Sequence, residues 1–182
     1  MQKDDLSVYW FFLLSYRPLC MKLKKICFLS CLAFVSAFSP LAVSGENITG
    51  MVVGVSDGDT ITVLIGGRDQ IRVRLANIDA PEKSQPFGQR SKQALSDLVF
   101  GKPVECERSG TDRYGRTIAL CHVGITNVNL SMVRSGMAWV YRMYAKNVPD
   151  YYAAEEHARI RGVGLWADKE PVPPWDWRRL DR

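Results

Sequence analysis

The segment of residues 72–82, with the sequence RVRLANIDAPE, constrains the fold of this chain more than any other. Its first half alternates, with the apolar Val73 and Leu75 on one side and two arginines on the other, which is the period of a β-strand. Its second half ends in an Ala-Pro turn, because proline fixes the backbone and has no N–H to give to a neighbouring strand. Such dense charge at the end of a strand is unusual for a purely structural segment.

Short runs rich in β-branched residues surround this segment and predict a barrel-forming set of strands. An Asp-Gly-Asp turn separates the first two runs, as in a β-hairpin. A polar loop at residues 109–115 separates the last two. The five predicted strands cover residues 50–55, 60–65, 70–79, 104–107 and 117–123.

Apolar residues at helical spacing predict about three helices, at residues 85–100, 129–134 and 149–161, with Asn127 as the cap of the second. The order β-β-β-α-β-β-α-α is typical of a five-stranded oligonucleotide/oligosaccharide-binding (OB) barrel with helices packed on it. We therefore expect an α+β fold of this type. The tail, residues 168–182, is too rich in proline for a regular element. Trp175 and Trp177 are expected to pin the tail to the body, and a frayed end is the alternative.

Residues 1–44 have the features of an export leader. Residues 21–25 are basic, residues 26–43 are mostly apolar and uncharged, and Ala42-Val-Ser44 is a small-x-small cleavage pattern. We predict a signal peptide over residues 21–44, preceded by an upstream extension. The exported domain, residues 45–182, is then periplasmic or secreted, monomeric and without stable membrane association. An uncleaved anchor is the alternative, since the apolar run is close to the length that spans a bilayer.

The exported domain keeps two of the five cysteines, Cys106 and Cys121, on the strands that flank the polar loop. In an oxidising compartment two such cysteines form a natural pair, so we predict a disulfide between them. Two buried free thiols are the alternative, because cysteine is common in protein cores.

Net charge alone does not indicate the partner of the domain. From residue 45 onward the chain has 19 Lys and Arg against 17 Asp and Glu. Because this excess is small, nucleic-acid binding has to be argued from local placement of charge.

Carboxylates stand at the turns where the first three strands meet. Asp59 closes the hairpin turn and Asp79 ends the third strand, so a meander can bring them together. Two carboxylates with a backbone carbonyl and waters would suit Ca²⁺. Glu82, which the preceding proline aims, could take a proton from a water molecule in front of a phosphate. The simpler alternatives are that Asp57 and Asp59 only form the turn and that Glu82 is a solvated loop residue.

Two arginines could neutralise a phosphate near these acids. Arg74 lies on the strand face opposite Val73 and Leu75, and a buried arginine requires an anion. Arg116 ends the polar loop. Two guanidinium groups that converge on one phosphate would stabilise the charge of a pentacovalent transition state. Pairing of each arginine with a nearby Asp or Glu is the alternative.

Three blocks resemble, in order and in spacing, the signature blocks of the staphylococcal nuclease (thermonuclease) family. They are Asp57-Gly-Asp-Thr60, Arg74-Leu through Asp79-Ala-Pro-Glu82, and Asp112-Arg-Tyr-Gly-Arg116. The resemblance extends over about residues 50–166. It implies that the catalytic residues are Arg74, Glu82 and Arg116, and that calcium is bound by Asp59, Asp79 and the backbone carbonyl of Ala80.

The same resemblance implies the substrate contacts and the reaction. Arg113 and Tyr114 match positions that contact the nucleotide phosphate, and Tyr144 matches an aromatic residue near the base or sugar. Arg142 departs from the family pattern, which has a tyrosine there. The implied activity is calcium-dependent hydrolysis of phosphodiester bonds in DNA and RNA, with single strands preferred. The alternative is a non-catalytic nucleic-acid-binding barrel, although members that bind without cutting usually lack some of these acids or arginines.

Overall fold

The computed structural model describes residues 47–180. Its strands are β1 (Asn47–Val55), β2 (Thr60–Ile65), β3 (Asp69–Leu75), β4 (Ile78–Asp79), β5 (Pro103–Thr111), β6 (Thr117–Val123), β7 (Thr126–Asn127) and β8 (Trp139–Val140). Its helices are α1 (Gly88–Val99), α2 (Val128–Arg134), α3 (Pro149–Ile160) and α4 (Pro174–Leu180), with a 3₁₀ turn at Gly164–Ala167. The predicted leader lies outside the described residues. Among residues 47–180, no helix is both long and apolar enough to cross a membrane.

Five strands close into a barrel. They follow the order β3-β2-β1-β5-β6, all antiparallel, and β3 then pairs in parallel with β6 to complete the ring. Alternate residues of these strands fill the interior, including the fully buried Val52, Ile61 and Val73. The helices cover the barrel, which confirms the expected OB-type α+β fold.

The pairing of β2 with β3 determines where the charged residues meet. Thr60, the first residue of β2, lies opposite Arg74 near the end of β3. The backbone N–H of Leu75 donates to the carbonyl of Asp59 at 2.8 Å. The Asp-Gly-Asp turn is therefore held beside the charged end of β3, as the meander predicted.

The third strand is shorter than predicted, because closing the barrel interrupts it. After Leu75 the chain turns at Asn77, whose φ is 66°. The N–H of Ala76 donates to the carbonyl of Ala119 on β6 at 2.8 Å. Residues 78–79 then form the separate strand β4, which pairs with β8 and not with the barrel.

All three predicted helices are present, and the first of them starts later than predicted. Asn127 caps α2 as predicted, since its side chain accepts from the N–H of Leu130 at 2.9 Å. The first helix begins at Gly88, after the expected start at residue 85. Gly88 packs so tightly that an added Cβ would lie 2.0 Å from the carbonyl oxygen of Glu82. The predicted helix start is therefore occupied by a turn under the Glu82 segment.

The expectation of an irregular tail was wrong, because residues 174–180 form α4. Proline is tolerated in the first turn of a helix, where its missing N–H would have no partner. Pro174 is the first residue of α4 and is buried. Trp175 stacks on Tyr141, with ring centroids 5.7 Å apart and planes inclined by 11°. This stacking fixes the tail to the body.

Cys106 and Cys121 are direct cross-strand partners on β5 and β6 and form a disulfide, with their Cα atoms 4.1 Å apart. The bridge closes a loop with a sequence separation of 15 residues. We expect the double substitution Cys106→Ala, Cys121→Ala to lower the free energy of unfolding by about 3 kcal/mol, because the unfolded chain gains freedom. Urea unfolding would measure the loss. Equal stability of the wild type with and without reductant would contradict this expectation.

Candidate active site

One guanidinium joins two buried carboxylates at the end of β3. Nη1 of Arg74 donates to Oδ2 of Asp59 at 2.6 Å, and Nη2 donates to Oδ1 of Asp79 at 3.0 Å. The N–H of Ala80 also donates to Oδ2 of Asp59, at 3.2 Å. The structure therefore brings Asp59, Asp79 and Ala80 together around Arg74. Arg74 is thus paired with acids, as the alternative interpretation predicted, and its partners are the two aspartates that the sequence analysis selected as metal ligands.

A missing side chain lets the Asp-Gly-Asp turn approach its neighbours. A Cβ added to Gly58 would lie 1.8 Å from Oγ of Ser91 and 2.8 Å from Cβ of Ala80. The turn is stabilised from within, because Oδ1 of Asp57 accepts from the N–H of Asp59 at 3.1 Å. Glycine at position 58 thus allows the Asp59 carboxylate to reach the Ala80 segment.

Burial and the charges of neighbouring groups shift the pKa values of the acids and of the arginine at this corner of the barrel. Burial raises the pKa of Asp57 to about 6, and repulsion by Asp59 adds to the rise. Burial also raises the pKa of Asp79, while the hydrogen bond from Arg178 opposes that rise. Burial alone would lower the pKa of Arg74, but the charges of Asp59 and Asp79 raise it, so Arg74 remains charged.

Arg116 reaches the same corner of the barrel from the β5–β6 loop. Its Nε donates to Oδ2 of Asp112 at 2.8 Å, and its Nη1 donates to Oγ1 of Thr60 at 3.1 Å. The Thr60 hydroxyl in turn donates to Oδ1 of Asp59 at 2.9 Å. The hydrogen bonds from Arg116 and from the Tyr114 N–H lower the pKa of Asp112 against the effect of its desolvation. Arg116 is therefore linked to the carboxylate cluster through one hydroxyl.

Glu82 joins the cluster through a residue that the sequence did not indicate. Nη1 of Arg178, on α4, donates to Oε1 of Glu82 at 2.7 Å, and Nη2 donates to Oδ2 of Asp79 at 2.6 Å. No motif contains Arg178, and its two partners precede it by 96 and 99 residues. The only sequence signal is the Trp-Asp-Trp-Arg-Arg run, for which the neighbouring prolines predict an irregular conformation.

An open groove of about 930 Å³ runs past these arginines. The expected substrate contacts all line it: Arg113, Tyr114 and Tyr144. The two tyrosines are 70% and 65% exposed, so both rings present much of their surface to solvent. The groove is lined further by Arg74, Arg116, Tyr141, Trp175 and Arg178.

Arg142, the departure from the family pattern, has a different environment. Its Nη2 donates to Oε2 of the buried Glu155 at 2.8 Å, and its guanidinium lies 5.2 Å from the ring centre of Tyr152. Glu155 also accepts from the N–H of Val140 at 2.8 Å. Glu155 therefore joins α3 to β8 and also binds Arg142, and Arg142 does not line the groove.

The two carboxylates suit a hard cation that takes only part of its coordination shell from side chains. Asp59 and Asp79 supply oxygen donors close enough to share one guanidinium. Within residues 47–180, no three His, Cys, Asp or Glu side chains form a group that could hold a metal ion. A cation bound here would therefore complete its shell from backbone oxygen, water or substrate, as Ca²⁺ and Mg²⁺ commonly do. The donor chemistry fits calcium on these terms.

Comparison with known proteins gives the family of the chain. Residues 72–168 match the family described as staphylococcal nuclease homologue. An uncharacterized endonuclease of Haemophilus influenzae is 50% identical over 159 residues, which are 87% of this chain and 88% of the relative. A micrococcal nuclease of Shigella flexneri is 44% identical over 146 residues, which are 75% of this chain and 83% of the relative. The chain therefore belongs to the staphylococcal nuclease family.

Proposed function

We propose that this nuclease is a calcium-dependent, sugar-non-specific phosphodiesterase that cuts DNA and RNA and prefers single strands. The observation that carries the proposal is the position of Arg74. It joins two buried carboxylates, Asp59 and Asp79, at the wall of a groove that Arg116 also lines. This arrangement combines oxygen donors for a cation with cations for a phosphate.

In the proposed reaction, water attacks phosphorus in line with the leaving oxygen, the ester bond from phosphorus to that oxygen breaks, and the leaving oxygen takes up a proton from solvent. Glu82 takes the proton of that water, and its half-exposed carboxylate is open to solvent. Arg74 and Arg116 exchange their carboxylate partners for the phosphoryl oxygens and neutralise the charge that develops there. Asp59, Asp79 and the Ala80 carbonyl would hold calcium, which when bound supplies a Lewis acid that polarises the phosphoryl group.

The groove supports a preference for unstacked strands with little sequence selectivity. Arginines contact phosphates, which carry no sequence information. The exposed rings of Tyr114 and Tyr144 can stack on bases, and stacking tolerates every base. Tyr114 itself lies 5.1 Å from the guanidinium of Arg113, so the ring and a phosphate contact are adjacent.

Export of the domain is part of the proposal. The Cys106–Cys121 disulfide is compatible with an oxidising compartment, which supports a periplasmic or secreted enzyme. We propose that the enzyme acts as a monomer there.

Hydrolysis of matched substrates tests this function. Single- and double-stranded DNA and RNA of one sequence would be incubated with the protein in Ca²⁺, Mg²⁺ or EDTA. In Ca²⁺ we expect cleavage of both DNA and RNA, with single strands cut faster than duplexes. In EDTA we expect no cleavage. Binding of all substrates without cleavage in any metal would show a non-catalytic binding barrel instead.

A further inference from the structure

Helix α4 lies in the wall of the groove beside the catalytic candidates. Trp175 and Arg178 line the groove together with Arg74 and Arg116. The helix comes from the proline-rich tail, which follows the last family-matched residue, 168. A segment outside the matched region therefore contributes a charged side chain to the site.

Arg178 contacts two of the acids simultaneously. Nη2 donates to Oδ2 of Asp79 at 2.6 Å, while Nη1 donates to Oε1 of Glu82 at 2.7 Å and lies 3.4 Å from Oδ1 of Asp79. With Arg74 this gives an alternating row, Asp59–Arg74–Asp79–Arg178–Glu82. Three carboxylates and two guanidinium groups leave this row with an excess of one negative charge.

A second connection joins the tail to the Glu82 segment. The side-chain oxygen of the buried Gln85 accepts from the N–H of Glu82 at 3.1 Å. The same amide donates through Nε2 to the carbonyl of Val172 at 2.5 Å. The backbone and the carboxylate of Glu82 are thus both tied to the tail, through Gln85 and Arg178 respectively.

We propose that Arg178 is a positioning residue, which aims the Glu82 carboxylate and serves as the counter-ion of Asp79 until a metal binds. This rests on the proposed function, in which Glu82 takes a proton from water. The Arg178–Glu82 pair is 39% and 42% exposed, and ion pairs of that exposure add little to stability, whereas the contact with Asp79 compensates a carboxylate that is only 1% exposed. The helix is already held by buried Pro174 and by the Trp175–Tyr141 stack, so the arginine is not needed to dock it.

The same contacts predict competition with calcium. Arg178 donates to Oδ2 of Asp79, the residue expected to bind the metal. Removal of the guanidinium deprives the metal-free protein of a favourable contact and removes a positive charge near the cation. Both effects favour calcium binding to the ionised Asp79 carboxylate.

The test compares Arg178→Ala, Arg178→Lys and the control Arg179→Ala. Arg179 has the same charge, is adjacent on α4 and also lines the groove, but it donates to Asp176 at 3.3 Å and not to the acids of the row, so it is the control for Ca²⁺ affinity. Ca²⁺ affinity of the substrate-free proteins would be measured by titration calorimetry. The values of kcat and KM on single-stranded DNA would be measured in saturating Ca²⁺, well below each Tm.

We expect Arg178→Ala to bind Ca²⁺ about tenfold more tightly than the wild type. We expect its kcat to fall about tenfold, with KM nearly unchanged. Changes of this size are usual for the coupling between two interacting sites in a protein. Arg178→Lys should recover part of the kcat, and Arg179→Ala should keep the wild-type Ca²⁺ affinity. An active wild type with an unchanged kcat in Arg178→Ala would overturn this proposal alone. A wild type inactive in every metal would overturn the proposed function and this proposal with it. If Arg178→Ala does not fold, wild-type kcat and Ca²⁺ affinity in Arg178→Lys would also overturn it.

Discussion

Replacing Glu82 by glutamine is expected to lower kcat by about 10²- to 10⁴-fold, the usual contribution of a positioned general base. Glutamine keeps the shape of the side chain and can still accept a hydrogen bond from Arg178. It cannot take a proton from the attacking water. Because the Glu82–Arg178 pair is partly exposed, we expect the free energy of unfolding to change by less than about 1 kcal/mol.

The measurement is the initial rate of single-stranded DNA cleavage in saturating Ca²⁺, with Glu105→Gln as the matched control. Glu105 is an exposed residue of β5 that does not line the groove. The control should cut at the wild-type rate. Wild-type kcat in the Glu82→Gln protein would remove Glu82 from the mechanism.

The substitution Arg74→Ala should have two effects of different origin. Loss of one of the two guanidinium groups that we propose to bind the phosphate should lower kcat/KM by about 10²-fold or more. Loss of the Arg74 guanidinium leaves the buried carboxylates of Asp59 and Asp79 adjacent without the positive charge between them. This should lower the free energy of unfolding in EDTA by about 3 kcal/mol. Calcium can replace part of the missing charge, so the stability loss should be smaller in its presence.

Unfolding in urea, with and without Ca²⁺, would separate these two effects. The control is Arg72→Ala, because Arg72 is exposed on the same strand and pairs across the sheet with Thr62. It should change neither stability nor activity appreciably. Equal stability losses for Arg74→Ala in EDTA and in Ca²⁺ would contradict the view that this corner of the barrel holds the metal.

The meander and its charged end were predictable because their signals are local. Alternation identifies β2 and β3, and the short turn at residues 66–68 between them determines which of their residues face each other, Thr60 opposite Arg74. That register alone places Asp59 beside Arg74. Asn127 was likewise identifiable as a cap, since its partner lies three residues away.

The interruption of the third strand could not be predicted from its own sequence. Residues 70–79 alternate well enough for one strand. The break occurs because the N–H of Ala76 is bonded to Ala119, a contact that exists only once the barrel closes. Such non-local pairing has no counterpart in local periodicity.

The tail shows how a correct local rule can lead to a wrong conclusion. Proline is indeed disfavoured in the interior of a helix. Pro174, however, is the first residue of α4, a position where proline is tolerated. The consequence for the site is Arg178, which faces acids nearly a hundred positions earlier in the chain. Its position could be known only after the tail was placed against the barrel.

A crystal structure with Ca²⁺ and a nuclease-resistant single-stranded DNA would test the central claim most directly. That claim is that the three sequence blocks form one phosphodiester-cleaving site. We predict calcium on the oxygens of Asp59 and Asp79, with one phosphate bound by both Arg74 and Arg116. DNA bound elsewhere on the barrel, with both arginines still paired to their carboxylates, would contradict it.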